Sequence, residues 1–144
     1  MSGHPQAGCI LDFPDATRWA QKMTRIEEFL KSGRPFYVSI TGLKPRGLWS
    51  YILFLRHAIP SKVQADRAPG LLWSGVRRID GIEHTLTAWE SREAMRTYIS
   101  SGAHLKAMKV FRRIATGKTL GYETRELPSW EDVPKIWRDK GREY

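Results

Sequence analysis

The sequence contains one cysteine, Cys9, among its 144 residues. A single cysteine cannot form a disulfide within the chain, which excludes a disulfide scaffold and a metal site built from a cysteine cluster. The first residues lack a basic segment followed by an apolar one, so we expect no secretory signal and a cytoplasmic location. No apolar run approaches the length of a bilayer span, so we expect no membrane partner.

Several functional motifs are also missing. No two histidines have a metal-ligand spacing such as H-x-x-x-H, and we expect no dedicated metal site. The chain has no G-x-S-x-G elbow, which leaves hydrolase chemistry with little support. It has no RNP-like motif, zinc-finger spacing or glycine-rich phosphate loop, so a nucleic-acid partner is not expected.

Acidic residues are few, with 15 Asp and Glu against 24 Lys and Arg, and the formal net charge is +9. The basic residues are spread along the chain, with one concentration in the acid-free segment 94–122. One interpretation is the solvated face of an amphipathic helix. The other is a surface that binds an anionic partner. The residues concerned are Lys106, Lys109, Arg112, Arg113 and Lys118.

Apolar residues make up 41% of the chain and aromatic residues 11%, which is typical of a globular protein with a real core. Residues 83–117 predict a strand that runs directly into an interrupted helix, because polar and apolar residues first alternate and then follow helical spacing. Ser91 stands at the N-cap position of the first helical segment. Ser101 can cap the second segment, and Gly117 is expected to end it.

The other predicted elements follow from periodicity and from helix and turn signals. Asp80-Gly81 predicts a type I′ hairpin turn, and the polar end, Arg138–Tyr144, is expected to fray. In chain order the elements are a helix from Asp15 to about Lys31 with Trp19, Met23, Ile26 and Leu30 on one stripe, a strand at Pro35–Leu43, a helix that Pro60 ends or kinks, strands at Leu71–Ile79 and Ile82–Trp89, a strand at Thr119–Leu127, and a short helix capped by Ser129 and Asp132.

From Pro35 onward the order is strand, helix, strand, strand, helix, strand. This βαββαβ order is typical of an α+β ferredoxin-like split βαβ fold, with helices on one face of an antiparallel sheet. Large residues occur on both strand faces, such as Phe36 and Tyr37, so the second face also needs a cover. Two sheets packed face to face across a two-fold axis would supply it, and we predict a homodimer. The expected division is an N-terminal arm and helix (1–34), the α+β domain (35–128) and a C-terminal helix and tail (129–144).

The segments GVRRIDGIEHTLTAWES, SGAHLKAM and PSWEDVPKIW resemble the dimeric α/β-barrel superfamily of antibiotic-biosynthesis-type monooxygenases. The similarity is greatest to its uncharacterised members, grouped as spheroidene-monooxygenase-like or domain-of-unknown-function proteins, and covers roughly residues 35–128. It implies a barrel formed by two chains, with a pocket in each subunit between sheet and helices. Members include cofactor-independent oxygenases of aromatic polyketides, haem-degrading enzymes and proteins without known activity, so the fold alone does not choose a function.

The haem-degrading branch can be aligned on Trp89-Glu90-Ser91. Its pocket tryptophan then falls on Tyr98 and its proximal histidine on Met108, so the family's haem ligand is missing. His104 lies one turn earlier on the same side of the helix, which leaves a shifted haem site through His104 or Met108 open. The expected cofactor is therefore either none or haem.

Two histidines are candidate catalytic proton acceptors, His84 and His104, because imidazole titrates near neutral pH. The alternative for His104 is local capping and packing, and the alternative for His84 is cross-strand packing. Candidate substrate-binding side chains are aromatic or softly apolar, although core or interface packing would also explain such residues. They are Tyr37, Trp73, Trp89, Tyr98 and Met108.

Two hypotheses follow from these residues and from the resemblance. The first is a monooxygenase-like enzyme that oxidises a small aromatic or apolar substrate in a pocket between sheet and helices. The second is a non-catalytic dimeric module that binds a ligand, or binds an anionic partner through the basic helix 106–113.

Overall fold

The computed structural model describes residues 16–143. This part of the chain forms five helices and five strands, which build one antiparallel sheet with helices on both faces. The helices are α1 (Ala16–Ser32), α2 (Leu48–Arg67), α3 (Arg92–Ile99), α4 (Gly102–Ile114) and α5 (Val133–Lys140), and the strands are β1 (Phe36–Pro45), β2 (Leu71–Ile79), β3 (Ile82–Trp89), β4 (Ala115–Thr124) and β5 (Arg142–Glu143).

The sheet has the strand order β2-β3-β1-β4-β5, with every adjacent pair antiparallel. The order of the first four strands confirms the predicted ferredoxin-like fold. The hairpin between β2 and β3 has positive φ at both Asp80 (51°) and Gly81 (77°), as a type I′ turn requires. Strand β1 lies at the centre, so its alternate side chains define the two faces of the sheet.

One face is apolar and sealed. Phe36, Val38 and Ile40 of β1 are 1%, 0% and 0% exposed. Ile26 of α1 and Val133 of α5 belong to the same buried cluster. Helices α1 and α5 of the same chain therefore cover this face. The prediction of a homodimer assumed that the face would be exposed and would need a second sheet to cover it.

The predicted N-terminal helix is present as α1, although Asp15 and the side chain of Trp19 lie outside the described residues. Of the predicted stripe, Ile26 is buried at 3% exposure, whereas Met23 and Leu30 remain 46% and 40% exposed. The helix thus contacts the sheet along a narrower line than its sequence period predicts.

Helix α5 is anchored on the sheet through Trp137. The Trp137 indole lies directly over Gly42, where an added Cβ would come within 2.5 Å of the ring. The indole N–H donates a hydrogen bond of 2.8 Å to the carbonyl oxygen of Lys118. A glycine at position 42 is therefore needed for this close approach.

The C-terminal segment differs from its prediction. Arg138–Tyr144 was expected to fray, but α5 continues to Lys140 and residues 142–143 pair with β4 as β5. Pairing satisfies backbone groups that a sheet edge would otherwise expose, which is the physical reason for the order. The predicted contact between Ser129 and Asp132 is present, since the Ser129 hydroxyl donates to the Asp132 carboxylate and accepts the Asp132 N–H. It lies in the turn before α5, which begins at Val133 without a side-chain cap.

Helices α2 and α4 pack together on the other face, where the rings of Phe54 and Phe111 lie 4.9 Å apart. Helix α2 runs on through Pro60 to Arg67, so the prediction that Pro60 ends it is wrong. Gly117 does not end α4 either: the helix stops at Ile114, and Gly117 lies in β4. An added Cβ at Gly117 would collide with the carbonyl oxygen of Gly42, so the glycine serves strand packing.

The break between α3 and α4 occurs as predicted, but its capping differs. Ser91 caps α3, since its Oγ accepts the Ala94 N–H at 3.1 Å. Ser101 does not cap α4 with its side chain, because its hydroxyl donates back to the Thr97 carbonyl at 2.9 Å. The Gln64 side chain of α2 caps instead, with Oε1 accepting the His104 N–H at 2.9 Å.

None of the helices found between residues 16 and 143 is long and apolar enough to cross a bilayer.

Candidate functional site

The centre of the sheet face beneath α2 and α4 is lined by hydroxyl side chains. They form two adjacent rows across the strands, because the antiparallel register places these positions opposite one another. One row is Ser74, Thr87, Ser39 and Gly121, and the next is Val76, Thr85, Thr41 and Thr119.

These hydroxyl rows are not sealed above β1 and β4. Ser39, Thr41 and Thr119 are partly exposed, although they occupy central strands. Gly121 is also exposed, but the Tyr37 side chain lies over it on this face. The sealed opposite face of the same strand shows that this access is a property of the α2–α4 side. We call the accessible region over Ser39, Thr41 and Thr119 the hydroxyl cleft.

Two apolar clusters close the space between sheet and helices on either side of the cleft. The first contains Leu43, Phe54 and Phe111. The second contains Leu71 and Met95, together with Trp89 and its aromatic neighbours. The helices therefore touch the sheet at both ends of the cleft and leave its polar middle accessible.

A continuous aromatic wall stands at one end of the cleft. Tyr37 and Trp89 are direct neighbours across β1 and β3. The Trp89 ring stacks on Tyr98 with 5.1 Å between centroids, and the Tyr98 ring lies 4.5 Å from the His104 ring. The Trp89 indole N–H donates to the Thr87 hydroxyl at 2.8 Å, which ties the wall to the hydroxyl rows. We call Tyr37, Trp89, Tyr98 and His104 the aromatic wall.

His104 is set up as a neutral imidazole. Burial lowers its pKa, and the backbone carbonyl of Ile99 opposes this shift. His104 Nδ1 lies 3.4 Å from that carbonyl oxygen, which can accept but not donate a proton. Nδ1 therefore carries the proton in this contact, and Nε2 keeps the lone pair that a general base needs.

Polar groups of α2 hold the aromatic wall and the sheet edge in position. The Tyr98 hydroxyl contacts both the hydroxyl and the carbonyl oxygen of Ser61, each at 3.1 Å. Next to Ser61, Lys62 forms an ion pair of 2.6 Å with Asp66. The hydroxyl of Ser74 on β2 donates to the Asp66 carboxylate at 2.9 Å. Sequence reasoning missed this group, although the i, i+4 spacing of Lys62 and Asp66 was a usable signal.

The sheet separates His84 and Trp73 from the aromatic wall. The His84 side chain lies on the α1–α5 face, is 1% exposed and meets Trp137 edge-on at 5.1 Å. Trp73 lies on that face too, with its ring 6.3 Å from Trp130. The structure thus brings together Tyr37, Trp89, Tyr98 and His104, and it does not bring His84 or Trp73 to them.

His84 has an unusual environment of its own. Its Nδ1 is buried and has no hydrogen-bond partner among the described residues. Burial lowers the pKa of His84, and the nearby Asp80 carboxylate opposes this shift. An edge-on contact with Trp137 offers no acceptor for a charged ring, so this site favours neutral imidazole.

The cleft does not fit a haem group. A haem needs an axial ligand together with an apolar slot for its macrocycle. His104 could supply the ligand, and Met108, which is half-buried one turn later, is a second candidate. The cleft floor, however, consists of hydroxyl groups, and the Tyr98 ring already packs against the His104 imidazole.

An open groove of about 720 Å³ lies outside the aromatic wall, between the C-terminal half of α2 and the α3–α4 break. Tyr98 lines this groove and also stacks on Trp89, so the groove and the aromatic wall share one side chain. Its other lining residues include Pro60, Gln64, Arg67, Gly70 and Gly102.

Within residues 16–143, no three His, Cys, Asp or Glu side chains come together as a metal site.

Solved structures with the antibiotic-biosynthesis-monooxygenase-like fold match this chain. SnoaB, a cofactor-independent oxygenase from Streptomyces nogalater, is 16% identical; the match covers 67% of this chain and 100% of SnoaB, with a TM-score of 0.55. A conserved protein from Methanosarcina mazei Go1 is 12% identical over 63% of this chain and 93% of that chain, with a TM-score of 0.52. An antibiotic biosynthesis monooxygenase is 8% identical over 63% of this chain and 99% of that chain, also at 0.52.

These likenesses confirm the fold that the resemblance implied. Their identities are low, so they carry the fold and no particular activity. No family model and no curated protein matches the sequence.

Proposed function

We propose that this chain is a monooxygenase-like protein that binds a small aromatic or apolar substrate between the sheet and helices α2–α4. The observation that carries the proposal is the unsealed hydroxyl cleft beside the aromatic wall. Small-molecule sites commonly combine apolar and aromatic walls with a few polar groups that orient the ligand. Trp89 is fully buried, so the half-buried Tyr37 and Tyr98 rings of the wall would contact the substrate. Ser39, Thr41 and Thr119 would bind its polar atoms.

His104 would be the proton acceptor. Helix α4 leads directly into β4, so both run back from the same corner at Ala115. The eleven residue steps from His104 to Ala115 along α4 rise about 16 Å, and the first five steps of β4 from Ala115 span about the same length. By this rise His104 would lie about level with Thr119 and Gly121, which supports a role beside the cleft.

The low pKa of His104 suits that role. A neutral imidazole at pH 7 can accept a proton, whereas a charged one cannot. An oxygenase that works without a cofactor must take its electrons from the substrate itself. Such a substrate needs an acidic O–H or C–H conjugated with an aromatic ring, because its anion is the species that gives electrons to O₂.

The balanced reaction is the oxidation of an activated CH₂ group. Removal of a proton gives the anion, one oxygen atom of O₂ becomes the new carbonyl oxygen, and the other leaves as water with the two hydrogens of the CH₂ group. The substrate supplies all the electrons in this scheme. SnoaB, whose fold this chain shares, is described as a cofactor-independent oxygenase, and this supports the same class of chemistry here.

The second candidate function is a non-catalytic module that binds a ligand or an anionic partner. The observation that favours it is the exposure of Lys106, Lys109, Arg112 and Arg113 on α4. Salt distinguishes the two functions, because binding to an anionic partner weakens steeply with ionic strength and binding in an apolar pocket does not.

A panel of phenolic and polycyclic aromatic compounds tests the proposal, with quenching of tryptophan fluorescence as the binding signal and an oxygen electrode as the turnover signal. We expect saturable, salt-insensitive binding of at least one compound and oxygen uptake with an ionisable member of the panel. Haem belongs in the panel, and we expect no shift of its absorption that depends on His104 or Met108. Binding without oxygen uptake across the panel would favour the non-catalytic module.

A further inference from the structure

The first turns of α2 carry an exposed apolar patch. Leu48 and Trp49 are 74% and 80% exposed, and Ile52 and Leu53 are 49% and 41% exposed. Residues at i, i+1, i+4 and i+5 lie on one side of a helix, so the four side chains form one surface. We call this surface the α2 tip. A cluster of large exposed apolar residues indicates an interaction site more often than isolated ones do.

Basic residues surround the α2 tip. The loop before α2 reaches the end of α4, where the Arg46 N–H donates to the Ile114 carbonyl at 2.9 Å. The guanidinium of Arg78 lies 5.6 Å from the Tyr51 ring on α2. The exposed basic residues at this end of the molecule are Lys44, Arg46, Arg56, Arg78, Arg112 and Arg113.

Acidic residues are nearly absent from the same end. Residues 29–65 and 94–122, which include α4 and all of α2 except its last two residues, contain no Asp or Glu. The one acid of α2, Asp66, lies in its last turn, at the opposite end from the α2 tip. Two acidic residues lie near this end in space: Asp80 in the β2–β3 turn, and Glu83, which lies across the sheet from Leu43 and pairs with Arg78 at 3.6 Å. The α2 tip is therefore an apolar centre within a mainly basic rim.

We propose that the α2 tip docks on the surface of an anionic phospholipid bilayer. Exposed Trp and Leu side chains enter the layer between headgroups and acyl chains, and Lys and Arg bind the phosphates around them. A second copy of this chain fits less well, because a two-fold contact through the patch would press the same basic rim against itself.

This inference revises the expectation that the chain has no membrane partner. That expectation came from the length of the apolar runs, and length tests whether a segment crosses a bilayer. Surface docking needs a few exposed apolar side chains and a basic rim, and the two turns of α2 supply both. The hydroxyl cleft is not involved, so the inference stands independently of the proposed activity.

Vesicle sedimentation tests the proposal with the full chain. We expect binding to an equimolar mixture of phosphatidylglycerol and phosphatidylcholine, much weaker binding to phosphatidylcholine alone, and loss of binding at high salt. Brominated acyl chains should quench the fluorescence of the wild-type protein, and the Trp49→Ala variant should lose most of that quenching.

Paired variants distinguish binding through the α2 tip and its basic rim from attraction by the net positive charge of the whole protein. The change Arg112→Gln with Arg113→Gln should weaken binding about 25-fold, since each charge near an anionic surface contributes about fivefold. Lys135→Gln with Lys140→Gln on α5 is the matched charge control, and Leu105→Ser on α4 is the apolar control; both should bind like wild type. Far-ultraviolet circular dichroism checks that each variant is folded.

Two results would overturn the proposal. One is the absence of binding to anionic vesicles by folded wild-type protein. The other is equal weakening by the α5 charge control, which would mean that net charge alone attracts the protein. If Trp49→Ala changes the oligomeric state in light scattering while vesicles do not bind, the α2 tip is instead a contact between copies of the chain.

Discussion

His84 and His104 lie on opposite faces of one sheet. His84 is under Trp137 of α5, and His104 is beside Tyr98 at the aromatic wall. Burial lowers the pKa of both, so the direction of the pKa shift does not distinguish them. Their positions do, because His104 is partly buried beside Tyr98 on the α2–α4 side, whereas His84 is enclosed in the apolar core.

Replacing His104 should remove turnover and leave binding largely intact. We expect His104→Ala to lower kcat by about 10²–10⁴-fold with any substrate found, because that is the usual contribution of a general base. The same change at His84 is the control and should change kcat little. Equal activity of the His104→Ala variant and wild type would rule out the proposed proton acceptor.

His84 should make the fold sensitive to acid. Its pKa is lower in the folded state than in the unfolded chain, so its contribution to stability is complete above the unfolded pKa of about 6.5 and is lost as the pH falls below it. His104 acts with the same sign. The free energy of unfolding from urea titrations should therefore fall between pH 7 and about pH 5.

The variant His84→Phe isolates that effect, because phenylalanine keeps the ring beside Trp137 and cannot be protonated. We expect a flatter pH profile, with the remaining slope attributable to His104. Burial raises the pKa of Glu83, so this carboxyl adds stability as the pH falls toward its unfolded pKa of 4.5, opposite in sign to the histidines; comparison of the variant with wild type removes this contribution. An unchanged slope in His84→Phe would show that His84 does not titrate on unfolding.

Gly42→Ala should destabilise the fold through Trp137. An added methyl group would come within 2.5 Å of the indole, and overpacking of this kind costs about 1–3 kcal/mol of unfolding free energy. Gly47 has no heavy atom within 4 Å of such a methyl group and an extended φ of 169°, so Gly47→Ala is the matched control. Thermal denaturation of both variants checks the docking of α5, which would be in doubt if the two melted alike.

We propose that the chain forms a homodimer through the α1–α5 face of its sheet. Helices α1 and α5 then lie between the two sheets. Met23 and Leu30 remain exposed on α1 and would be buried by such a contact. Light scattering on wild type should give twice the mass of one chain, and Met23→Glu with Leu30→Glu should give one chain. Leu105→Glu on α4 should leave the dimer intact, and a wild-type monomer would contradict this proposal.

Much of this fold could be predicted from the sequence because its signals are local. The Asp80-Gly81 turn, the Ser91 cap and the break at Gly102 each depend on a few neighbouring residues, and each is found. The cap on α4 was missed because Gln64 comes from another helix, forty residues away from His104. Strand β5 was missed because a two-residue strand has no period to detect.

The candidate site could be predicted less well than the fold. Alternation along β1 and β3 indicates which residues share a face, but large side chains on both faces did not show which face the helices leave open. His84 was grouped with His104 for that reason, although the register places it with Leu86 and Ala88 on the sealed side. The packing of α1 and α5 on the sheet determines which face is sealed. That packing joins residues far apart in the sequence, so no local pattern predicts it.

Ligand binding to variants of Ser39 tests whether the substrate occupies the hydroxyl cleft. Ser39 lies at the middle of the cleft floor, opposite Gly121. Once an aromatic ligand is found, Ser39→Leu should fill the cleft and abolish its binding in a fluorescence titration, while Ser39→Ala, which keeps the space, should reduce affinity by less than about tenfold, the effect of one hydrogen bond. Unchanged binding by a folded Ser39→Leu variant would place the ligand elsewhere and contradict the proposed site.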